Sequence, residues 1–357
     1  MPDRPVYVIA EIGINHNGSL DNCLEMIDAA AAAGCNAAKF QHFKAKYLYP
    51  ETAGKLDWKD AKGAYSYDIF DAAKRFEMPE AWITRLMRHC AGKKIDFLAS
   101  VFDARGLRTM VEKGLKRIKI ASYSITNLPL LQQCAQTGLP VIISTGGASL
   151  GEVEKAVFTV KRYHDKIALL HCSLKYPTPL KDCNLGVIET LKLAFSGIAV
   201  GFSDHTAEVS DAAVQAVYLG ASIIEKHITL DRKMAGPDHF FALEPDEIEK
   251  MVKDVRSAET AHKRKNFTID KLLYGTTAKV TFPHERYLRD FAFMSLFARR
   301  DIKKGKAIKP SHIAVLRPGK KAHGLAPEYM SLFEDHRVTA KRDIPSGEPL
   351  TWADILR

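Results

Sequence analysis

Short runs of apolar residues alternate along the chain with segments of helical length. Eight runs have the length and composition of β-strands: Tyr7–Glu11, Asn36–Phe40, Asp96–Ser100, Arg117–Ser122, Val141–Ser144, Ile167–His171, Ala199–His205 and Ile223–His227. Helices are predicted between them, the first from Ser19 to Ala33 and the last from Pro245 to His262. This alternation predicts a parallel sheet, and eight such units predict a closed (β/α)8 TIM barrel.

Polar and charged residues stand at or near the carboxyl ends of the predicted strands. They are Glu11, Lys39, Ser100, Lys119, Ser122, Ser144, Ser203, His205 and His227. Because the carboxyl ends of all the strands of such a barrel meet at one mouth, we expect these side chains to form one site. Lysines and hydroxyls suit a small phosphorylated anion, and the two histidines suit a divalent metal ion.

Lys39 and Lys119 both lie inside apolar strand segments. A buried ammonium group needs a partner, because removing it from water is costly. A structural ion pair is one explanation, and a clamp for a phosphate or carboxylate is the other. With four serines predicted nearby, we favour the clamp.

His205 and His227 end the last two predicted strands. A single histidine at a strand end is more often a structural residue, but two on adjacent strands would face the same mouth. Two imidazoles with open positions favour a catalytic ion. We expect Mn²⁺ first, with Co²⁺, Fe²⁺, Mg²⁺ and Zn²⁺ as alternatives.

The chain is predicted to divide into a barrel at 1–265, a linker at 266–285 and a small β-rich domain at 286–357. Within the barrel, the polar stretch Gln41 to Met78 predicts a long functional loop over the site. In the last part, Arg300–Gly305 recurs as Arg342–Gly347, at a constant offset of 42 positions. Such a repeat predicts two copies of one strand–turn–strand unit.

Composition narrows the class of protein. The 357 residues are 46% hydrophobic, yet no apolar run approaches the roughly 18 residues that a membrane span needs. A strand begins near the N-terminus without a signal-peptide pattern, and the six cysteines form no CxxC pair, so we expect a cytoplasmic protein with free thiols. The net charge is +10, and 15 Lys/Arg against 8 Asp/Glu lie between Arg286 and Arg357. Without a nucleic-acid-binding signature, this basic tail favours steering of an anionic substrate over binding to nucleic acid.

Several motifs in order along the chain resemble the sialic acid synthase family. They are Ile9–Gly18, Lys39–Gln41, Ile143–Gly146, His171-Cys172 with Tyr176-Pro177, Gly201–Thr206 and Gly236–His239. The tail from Phe297 resembles the antifreeze-like (SAF, β-clip) domain of that family. The resemblance therefore covers nearly the whole chain.

The resemblance implies a nonulosonic acid synthase, which condenses phosphoenolpyruvate with the open-chain aldehyde of an N-acetylated amino sugar and releases phosphate. It also implies roles for individual residues. The metal would be held by His205 and His227; phosphoenolpyruvate by Lys39, Ser100, Lys119, Ser122, Ser144 and Ser203; and the sugar or a metal-bound water by Glu11, Tyr176 and Asp238. Family members are domain-swapped homodimers, so Arg317, which by itself reads as a solvated turn residue, would reach the neighbouring subunit's barrel.

Two positions depart from the family pattern. Ser124 stands where the family usually has a glutamate that contacts the sugar, and Leu174 stands where some members have an asparagine. Neither can replace the hydrogen bonds of the residue that it substitutes. We therefore expect the same reaction on a different sugar, more deoxygenated or further acylated than N-acetylmannosamine.

Three alternatives stay open. Another phosphoenolpyruvate–aldose condensing barrel, such as a 3-deoxy-octulosonate phosphate synthase type, would lack the repeated tail. A non-catalytic binding protein would not need Lys39, His205 and His227. A catalytically inactive barrel with a regulatory role is suggested only by Ser124 and Leu174. The acceptor sugar, the metal and the final glycan do not follow from the sequence.

Overall fold

The computed structural model describes residues 5–60 and 63–356. Its strands are β1 (Tyr7–Gly13), β2 (Ala37–His42), β3 (Lys55–Asp60), β4 (Gly63–Asp68), β5 (Asp96–Val101), β6 (Ile118–Ile120), β7 (Val141–Ser144), β8 (Ile167–His171), β9 (Ala199–Asp204), β10 (Ile223–His227), β11 (Ser295–Ala298), β12 (Ile313–Leu316), β13 (Thr339–Ala340) and β14 (Ile355–Leu356). Its helices are α1 (Leu20–Ala32), α2 (Ile69–Arg75), α3 (Glu80–Gly92), α4 (Ala104–Glu112), α5 (Leu128–Gln136), α6 (Leu150–Lys161), α7 (Val187–Ala194), α8 (Asp211–Tyr218), α9 (Pro245–Lys263), α10 (Lys271–Tyr274) and α11 (Arg286–Ala292). None of the helices in the described part of the chain is both long and apolar enough to cross a membrane.

Eight parallel strands close into a barrel in the order β1-β10-β9-β8-β7-β6-β5-β2. They coincide with the eight predicted runs, so the predicted (β/α)8 barrel is confirmed. Several strand ends differ from the prediction by one or two residues, and two of the differences affect site residues. The sixth strand β6 is only three residues long, because Ser122 already begins a 3₁₀ turn, Ser122–Ser124. His205 lies one residue beyond the end of β9.

The side chains inside the barrel form layers, because every second residue of a strand points to the interior. Ile9, Leu98, Ile142, Leu170 and Ile223 belong to one buried apolar cluster inside it. The side chain two residues further along a strand points the same way, one layer closer to the mouth. That rule places polar side chains directly above this apolar layer.

Gly201 makes room inside this layer. An added Cβ would lie 2.3 Å from the carbonyl oxygen of Ile223 and 2.7 Å from Leu170 Cδ2. Any larger residue would therefore push β9 away from its neighbours, two residues before Ser203 of the polar layer.

The helices pack around the sheet through a large apolar core, and local signals fix their ends. The Ser19 side chain accepts a hydrogen bond from the Asn22 backbone and begins α1, as predicted. Ser149 and Glu152 form a reciprocal capping box at the start of α6. Gly34, with φ of 83°, follows α1 in the left-handed conformation that favours glycine.

The segment from Gln41 to Met78 is ordered rather than a plain loop. It contains the 3₁₀ turn Ala45–Tyr47, the antiparallel hairpin β3–β4 and helix α2. Its apolar side chains form a buried cluster with Phe102 and Met294. The predicted position over the site is correct, whereas the hairpin was not foreseen.

The C-terminal domain is built from the predicted repeat. In both copies the motif ends in a glycine with positive φ (Gly305, 74°; Gly347, 78°). A 3₁₀ turn further along then leads into a short strand, β12 or β14. The two copies pair through an antiparallel bridge between Ile302 and Ile344. Both residues lie in the apolar core of the domain, which begins at Leu296.

The connection between barrel and C-terminal domain is anchored to the barrel. Glu285 is buried, and its Oε1 accepts hydrogen bonds from the backbone N–H groups of Gly147 and Leu174, at 3.1 and 2.9 Å. The Lys279 ammonium donates to the carbonyl of Ala148 at 2.6 Å. Phe293 belongs to the barrel core. These contacts hold the C-terminal domain over the mouth of the barrel.

Candidate active site

A cavity of about 450 Å³ lies at the carboxyl ends of the barrel strands. Every predicted site residue lines it: Glu11, Lys39, Ser100, Lys119, Ser122, Ser144, Tyr176, Ser203, His205, His227, Asp238 and Arg317. The closure of the barrel and the docking of the C-terminal domain therefore bring residues more than 300 positions apart into one cavity.

The floor of the cavity is a buried charge network around Glu225. Its Oε1 accepts a hydrogen bond from Ser203 Oγ at 2.9 Å, and lies 3.6 Å from Lys39 Nζ and 3.8 Å from Lys119 Nζ. Its Oε2 has no hydrogen-bond partner among the described residues. Lys39 Nζ also lies 2.6 Å from Glu11 Oε2. Two ammonium groups thus share one carboxylate deep in the barrel.

Each lysine of the floor also holds a serine hydroxyl. Lys39 Nζ donates to Ser100 Oγ at 3.2 Å, and Lys119 Nζ donates to Ser144 Oγ at 2.6 Å. Burial lowers the pKa of the Lys39 ammonium, but Glu11 and Glu225 outweigh it and hold that pKa above its ordinary value. For Lys119, burial outweighs Glu225, and its pKa is lowered. The arrangement presents two cations and two hydroxyl donors to an anion, as the clamp hypothesis requires.

Ser122 links the floor to the turn after β7. Its Oγ accepts a hydrogen bond from the Gly146 backbone at 3.0 Å and lies 3.0 Å from Cys172 Sγ. A Cβ on Gly146 would lie 2.8 Å from that sulfur, so only glycine fits this approach. Cys172 is buried, like the other five free cysteines.

The two histidines face each other across the wall above the floor. Their ring centroids are 5.6 Å apart. His205 Nδ1 is 2.6 Å from the carbonyl oxygen of Ser173, which places its proton on Nδ1. The lone pair on Nε2 lies 3.4 Å from Ser203 Oγ, whose proton is donated to Glu225. Burial lowers the pKa of His205 to about 4 and that of His227 well below its ordinary value, so both rings are neutral.

These histidines fit a metal ion. Neutral imidazoles are the form that binds metals, and the buried Nδ1 of His227 has no hydrogen-bond partner among the described residues. The nearest acidic group is Asp238, whose Oδ2 lies 3.8 Å from that nitrogen. Across residues 5–60 and 63–356, no group of three or more His, Cys, Asp or Glu side chains is arranged to hold an ion. The chain therefore offers two nitrogen ligands, and the other positions would fall to water or substrate.

A buried ion pair holds the two strand ends that carry the histidines. Lys226 Nζ lies 2.9 Å from Asp204 Oδ2, and both side chains are fully buried. The same ammonium donates to the backbone carbonyl and Oγ1 of Thr206, at 2.8 and 3.1 Å, and to the carbonyl of Glu208 at 2.8 Å. Each partner of the pair directly precedes one histidine, so the pair fixes the backbones of both.

Tyr176 and Asp238 complete the wall around the histidines. The Tyr176 ring stacks on His205 with centroids 4.1 Å apart, and Phe241 packs against both Tyr176 and His227. Asp238 lies at the rim, where burial and the nearby Glu11 raise its pKa to about 7.

Glu11 lies between Lys39 on the floor of the cavity and Asp238 at its rim. Its Oε1 accepts a hydrogen bond from Gln41 Nε2 at 3.0 Å, and its Oε2 contacts Lys39. Burial raises the pKa of this carboxyl, while Lys39 opposes the rise and Glu225 adds to it. The raised pKa makes Glu11 a candidate proton acceptor and donor at the site, together with Asp238 at the rim.

Arg317 reaches the cavity from the C-terminal domain. Its guanidinium carbon lies 4.9, 5.2 and 5.8 Å from the ring centroids of Tyr123, Phe102 and Tyr49. Its backbone N–H donates to the carbonyl of Leu48 at 2.8 Å, so the turn is docked and is not solvated. Within the described residues Arg317 forms no ion pair, which leaves its charge for a ligand.

Within the single chain described, Arg317 lies at the mouth of its own barrel. The docked connection from Lys279 to Phe293 is the physical reason, since it places the C-terminal domain over the same barrel. Whether Arg317 reaches the neighbouring subunit's barrel, as the resemblance implies, depends on a second chain and stays a prediction. The homodimer with exchanged domains stays a prediction too.

The outer part of the cavity is largely apolar. The segment Gln41 to Met78 and helix α11 supply most of it, through Leu48, Leu56, Ile69, Ala72, Ala73, Phe76, Leu288, Phe291 and Ala292. The polar groups are concentrated on the floor and around the histidines. A ligand must therefore carry its charge at the inner end and tolerate apolar contacts at the outer end.

The two departures from the family pattern do not line this cavity. Ser124 is fully buried, and its Oγ has no hydrogen-bond partner in the described part of the chain. Leu174 is also fully buried and packs on Gly147, where an added Cβ would lie 2.4 Å from Leu174 Cδ1. Neither side chain therefore offers a hydrogen bond to a sugar in this cavity, and the expectation of a different acceptor sugar stays a prediction.

Glu225 was missed at the sequence level, although a signal for it exists. It lies two residues before His227 on β10, so the strand period places both side chains on the inner face of the barrel. A buried carboxylate between two lysines is then the expected way to neutralise the floor. Tyr49 and Phe102, which hold Arg317, carry no comparable signal because they act from outside the strands.

The fold and the site together define a class: a (β/α)8 barrel whose mouth holds two lysines and several serines beside two neutral histidines. The NeuB family model matches residues 26–267, and the SAF domain model matches residues 293–356. The chain belongs to the NeuB family and is an enzyme of the sialic acid synthase type with a C-terminal SAF domain.

Individual relatives match over nearly the full length. The spore coat polysaccharide biosynthesis protein SpsE of Bacillus subtilis is 41% identical over 99% of this chain and 94% of its own. The N,N'-diacetyllegionaminic acid synthase of Legionella pneumophila is 35% identical over 98% of this chain and 94% of its own. The crystal structure of SpsE from Bacillus subtilis superposes with a TM-score of 0.88 at 40% identity, covering 99% and 96% of the two chains.

Proposed function

We propose that this enzyme condenses phosphoenolpyruvate with the open-chain aldehyde of an N-acetylated amino sugar, forming a C–C bond and releasing phosphate. The observation that carries the proposal is the floor of the barrel, where Lys39, Lys119 and their serines converge directly below His205 and His227. One end of the cavity suits a phosphorylated anion, and the space above it suits a neutral acceptor.

The proposed binding residues for phosphoenolpyruvate are the two lysines and four serines of the floor: Lys39, Lys119, Ser100, Ser122, Ser144 and Ser203. Their hydroxyls and ammonium groups are held by one another and by Glu225 before substrate arrives, so little reorganisation is needed. Arg317 supplies a further positive charge from above. These fixed donors would stabilise the anion that develops as water adds at C2 and phosphate leaves.

His205 and His227 are the proposed ligands of a divalent ion, with Mn²⁺ preferred. Such an ion would supply Lewis-acid polarisation of the acceptor's aldehyde. Tyr176, stacked on His205, orients that imidazole and closes one side of the space around it. Glu11 is the proposed acid–base residue, because its pKa is raised and it lies between the floor and the rim.

The acceptor is proposed to carry fewer free hydroxyls, or more acyl groups, than N-acetylmannosamine. The apolar outer wall, including Leu56, Phe76 and Phe291, supports this, because a sugar hydroxyl placed there would lose its hydrogen bonds to water without replacement. The relative from Legionella pneumophila is named for a diacetylated product, which agrees with this direction.

The test is phosphate release from phosphoenolpyruvate in the presence of Mn²⁺, across a panel of 2-acetamido and 2,4-diacetamido hexoses. We expect metal-dependent release with a 2,4-diacetamido sugar, and none with the His205→Ala variant or after treatment with EDTA. Preference for N-acetylmannosamine would contradict the proposed acceptor class. Absence of release with every sugar, from protein that binds both Mn²⁺ and phosphoenolpyruvate, would contradict the reaction.

A further inference from the structure

A second cleft, of about 950 Å³, lies where the C-terminal domain meets the barrel. The barrel contributes residues 46–52 and the starts of α4 and α5, and the C-terminal domain contributes β12 and the turn at Gly347. This volume is in the range of small-molecule sites. The proposed reaction does not use the cleft.

The cleft has an excess of positive charge. Its cationic lining is Lys46, Arg105, Arg108 and Arg299, and its acidic lining is Glu51 and Asp103. Asp103 is already engaged, because its Oδ1 accepts from the backbone N–H groups at the start of α4, at 2.8 and 2.9 Å. Among the described residues, only Arg105 of the four cations has a carboxylate within 4.0 Å. Three cationic side chains therefore lack an acidic partner.

Three of the cations, Lys46, Arg105 and Arg299, come from both domains and lie around Tyr47. Arg105 Nη1 donates to the Tyr47 hydroxyl at 3.5 Å, and Lys46 Nζ lies 5.1 Å from the ring centroid. The hydrogen bond from Arg105, with the charges of Lys46 and of Arg299 from the C-terminal domain, holds the pKa of Tyr47 below its ordinary value. One anion at this point could contact cations of both domains.

The cleft also has an apolar part, and it shares a wall with the active site. Phe70, Ile313 and Met330 line the apolar part. Tyr49 and Phe102 line both this cleft and the active-site cavity. The same two rings hold Arg317, whose Nη1 donates to the Tyr49 hydroxyl at 3.4 Å.

We propose that this cleft is a second, regulatory site for a small phosphorylated metabolite, which acts on the active site through the Tyr49–Phe102 wall. Its phosphate binds Arg105, Arg108 and Arg299, and its ring-sized body lies against Phe70 and Met330. Nucleotides and sugar phosphates share this chemistry. Occupancy joins the two domains and fixes Arg317 through the shared wall, so it changes the apparent KM of the acceptor.

The test is calorimetric titration of the full chain with adenosine 5′-monophosphate, glucose 6-phosphate and inorganic pyrophosphate, and separately with phosphoenolpyruvate. We expect at least one of the two organic phosphates to bind, with affinity reduced about tenfold or more in Arg108→Ala/Arg299→Ala and unchanged in Lys119→Met. Phosphoenolpyruvate should show the reverse pattern. The Arg300→Ala variant is the matched control, because Arg300 adjoins Arg299 but does not line the cleft, and it should bind all ligands normally.

Two results would overturn the proposal. One is the absence of binding by both organic phosphates; the other is binding that Lys119→Met abolishes and Arg108→Ala/Arg299→Ala leaves intact. Pyrophosphate binding as tightly as either organic phosphate would overturn the role of the apolar part. The proposed reaction is tested separately: it would be contradicted if the unmodified chain did not bind phosphoenolpyruvate.

Discussion

At the scale of single residues, two of the buried lysines of the barrel differ in how well they are paired. Lys226 is surrounded by four acceptors, which are its ion-pair partner Asp204 at the end of β9 and three oxygen atoms on the loop that follows. Lys119 has one hydroxyl, one carbonyl and a carboxylate at 3.8 Å, and burial lowers its pKa. A lowered lysine pKa means that the charged form destabilises the folded state at neutral pH. Lys119 is thus a residue whose charge serves binding rather than folding.

Replacing Lys119 by methionine should separate these two effects. Methionine has a similar length and no charge, so the cost of burying the ammonium group disappears and the free energy of unfolding should rise. The same change removes a donor to the anion, and kcat/KM for phosphoenolpyruvate should fall by about 10²-fold. Denaturant titration and initial rates measure the two quantities. A variant that loses stability together with activity would show that Lys119 is a structural residue.

At the scale of elements, the ends of β9 and β10 are tied together by Lys226 and Asp204. The Lys226→Met variant leaves the Asp204 carboxylate buried without its partner, which should lower the free energy of unfolding by about 3 kcal/mol. Because each partner precedes a histidine, the affinity for Mn²⁺ should fall as well. Denaturant titration and metal titration of the same preparation provide the readouts.

Lys192→Met is the matched control for this element. Lys192 Nζ donates to the carbonyl of Leu219 at 3.0 Å, but Lys192 is exposed and lies on α7, which carries neither histidine. Its replacement should leave Mn²⁺ affinity unchanged. Equal losses of Mn²⁺ affinity in the two variants would refute a specific role for the ion pair.

The connection that carries the C-terminal domain should make stability depend on pH. Burial lowers the pKa of Lys279 to about 8, below its value in the unfolded chain. Between pH 8 and about 10, the unfolded chain therefore binds more protons than the folded one, and the destabilisation caused by the charged form of Lys279 is relieved as pH rises. Relative to Lys279→Met, the parent chain should gain roughly 2 kcal/mol over this interval. Denaturant titrations at both pH values measure it, and parallel pH profiles would rule out this role of Lys279.

The sequence predicted the elements whose pattern is local and left out those that depend on packing. Each barrel strand is an apolar run followed by a polar end, so the period of two places both the core and the site. The hairpin β3–β4 is an exception, because its polar and apolar residues do alternate, from Lys55 to Lys59 and from Tyr65 to Asp68, within a polar stretch that by its glycines predicts a loop. The orientation of Leu174 could not be predicted either, because it depends on the approach of Gly147 and on the bond from Leu174 N–H to Glu285.

At the scale of the whole molecule, the net charge of +10 should accelerate the capture of an anionic substrate. The association rate constant for phosphoenolpyruvate should fall several-fold as ionic strength rises from about 0.05 to 0.5 M, because salt screens charges beyond a few ångströms. Stopped-flow fluorescence measures that rate. The KM of the uncharged acceptor serves as the control and should stay constant. An association rate that does not depend on salt would contradict electrostatic steering.

The candidate active site depends on the whole molecule, because both domains contribute residues to it. Strand periodicity brings Lys39 and Ser100 together, as predicted, and the same period places Glu225 beside them, although Glu225 was not predicted. The position of Arg317 depends on how the C-terminal domain docks, which no local pattern encodes. Resemblance identified Arg317 as a site residue, and within the single chain described it lies at the mouth of its own barrel.

The central claim is that the barrel joins C3 of phosphoenolpyruvate to the acceptor's aldehyde carbon. The most direct measurement is mass spectrometry and ¹³C NMR of the products formed from [3-¹³C]phosphoenolpyruvate, Mn²⁺ and a 2,4-diacetamido hexose. The account predicts that the label enters a nonulosonic acid through a new C–C bond, with one phosphate released per product. Labelled pyruvate and free phosphate with unchanged sugar would contradict it, because that outcome is hydrolysis without condensation.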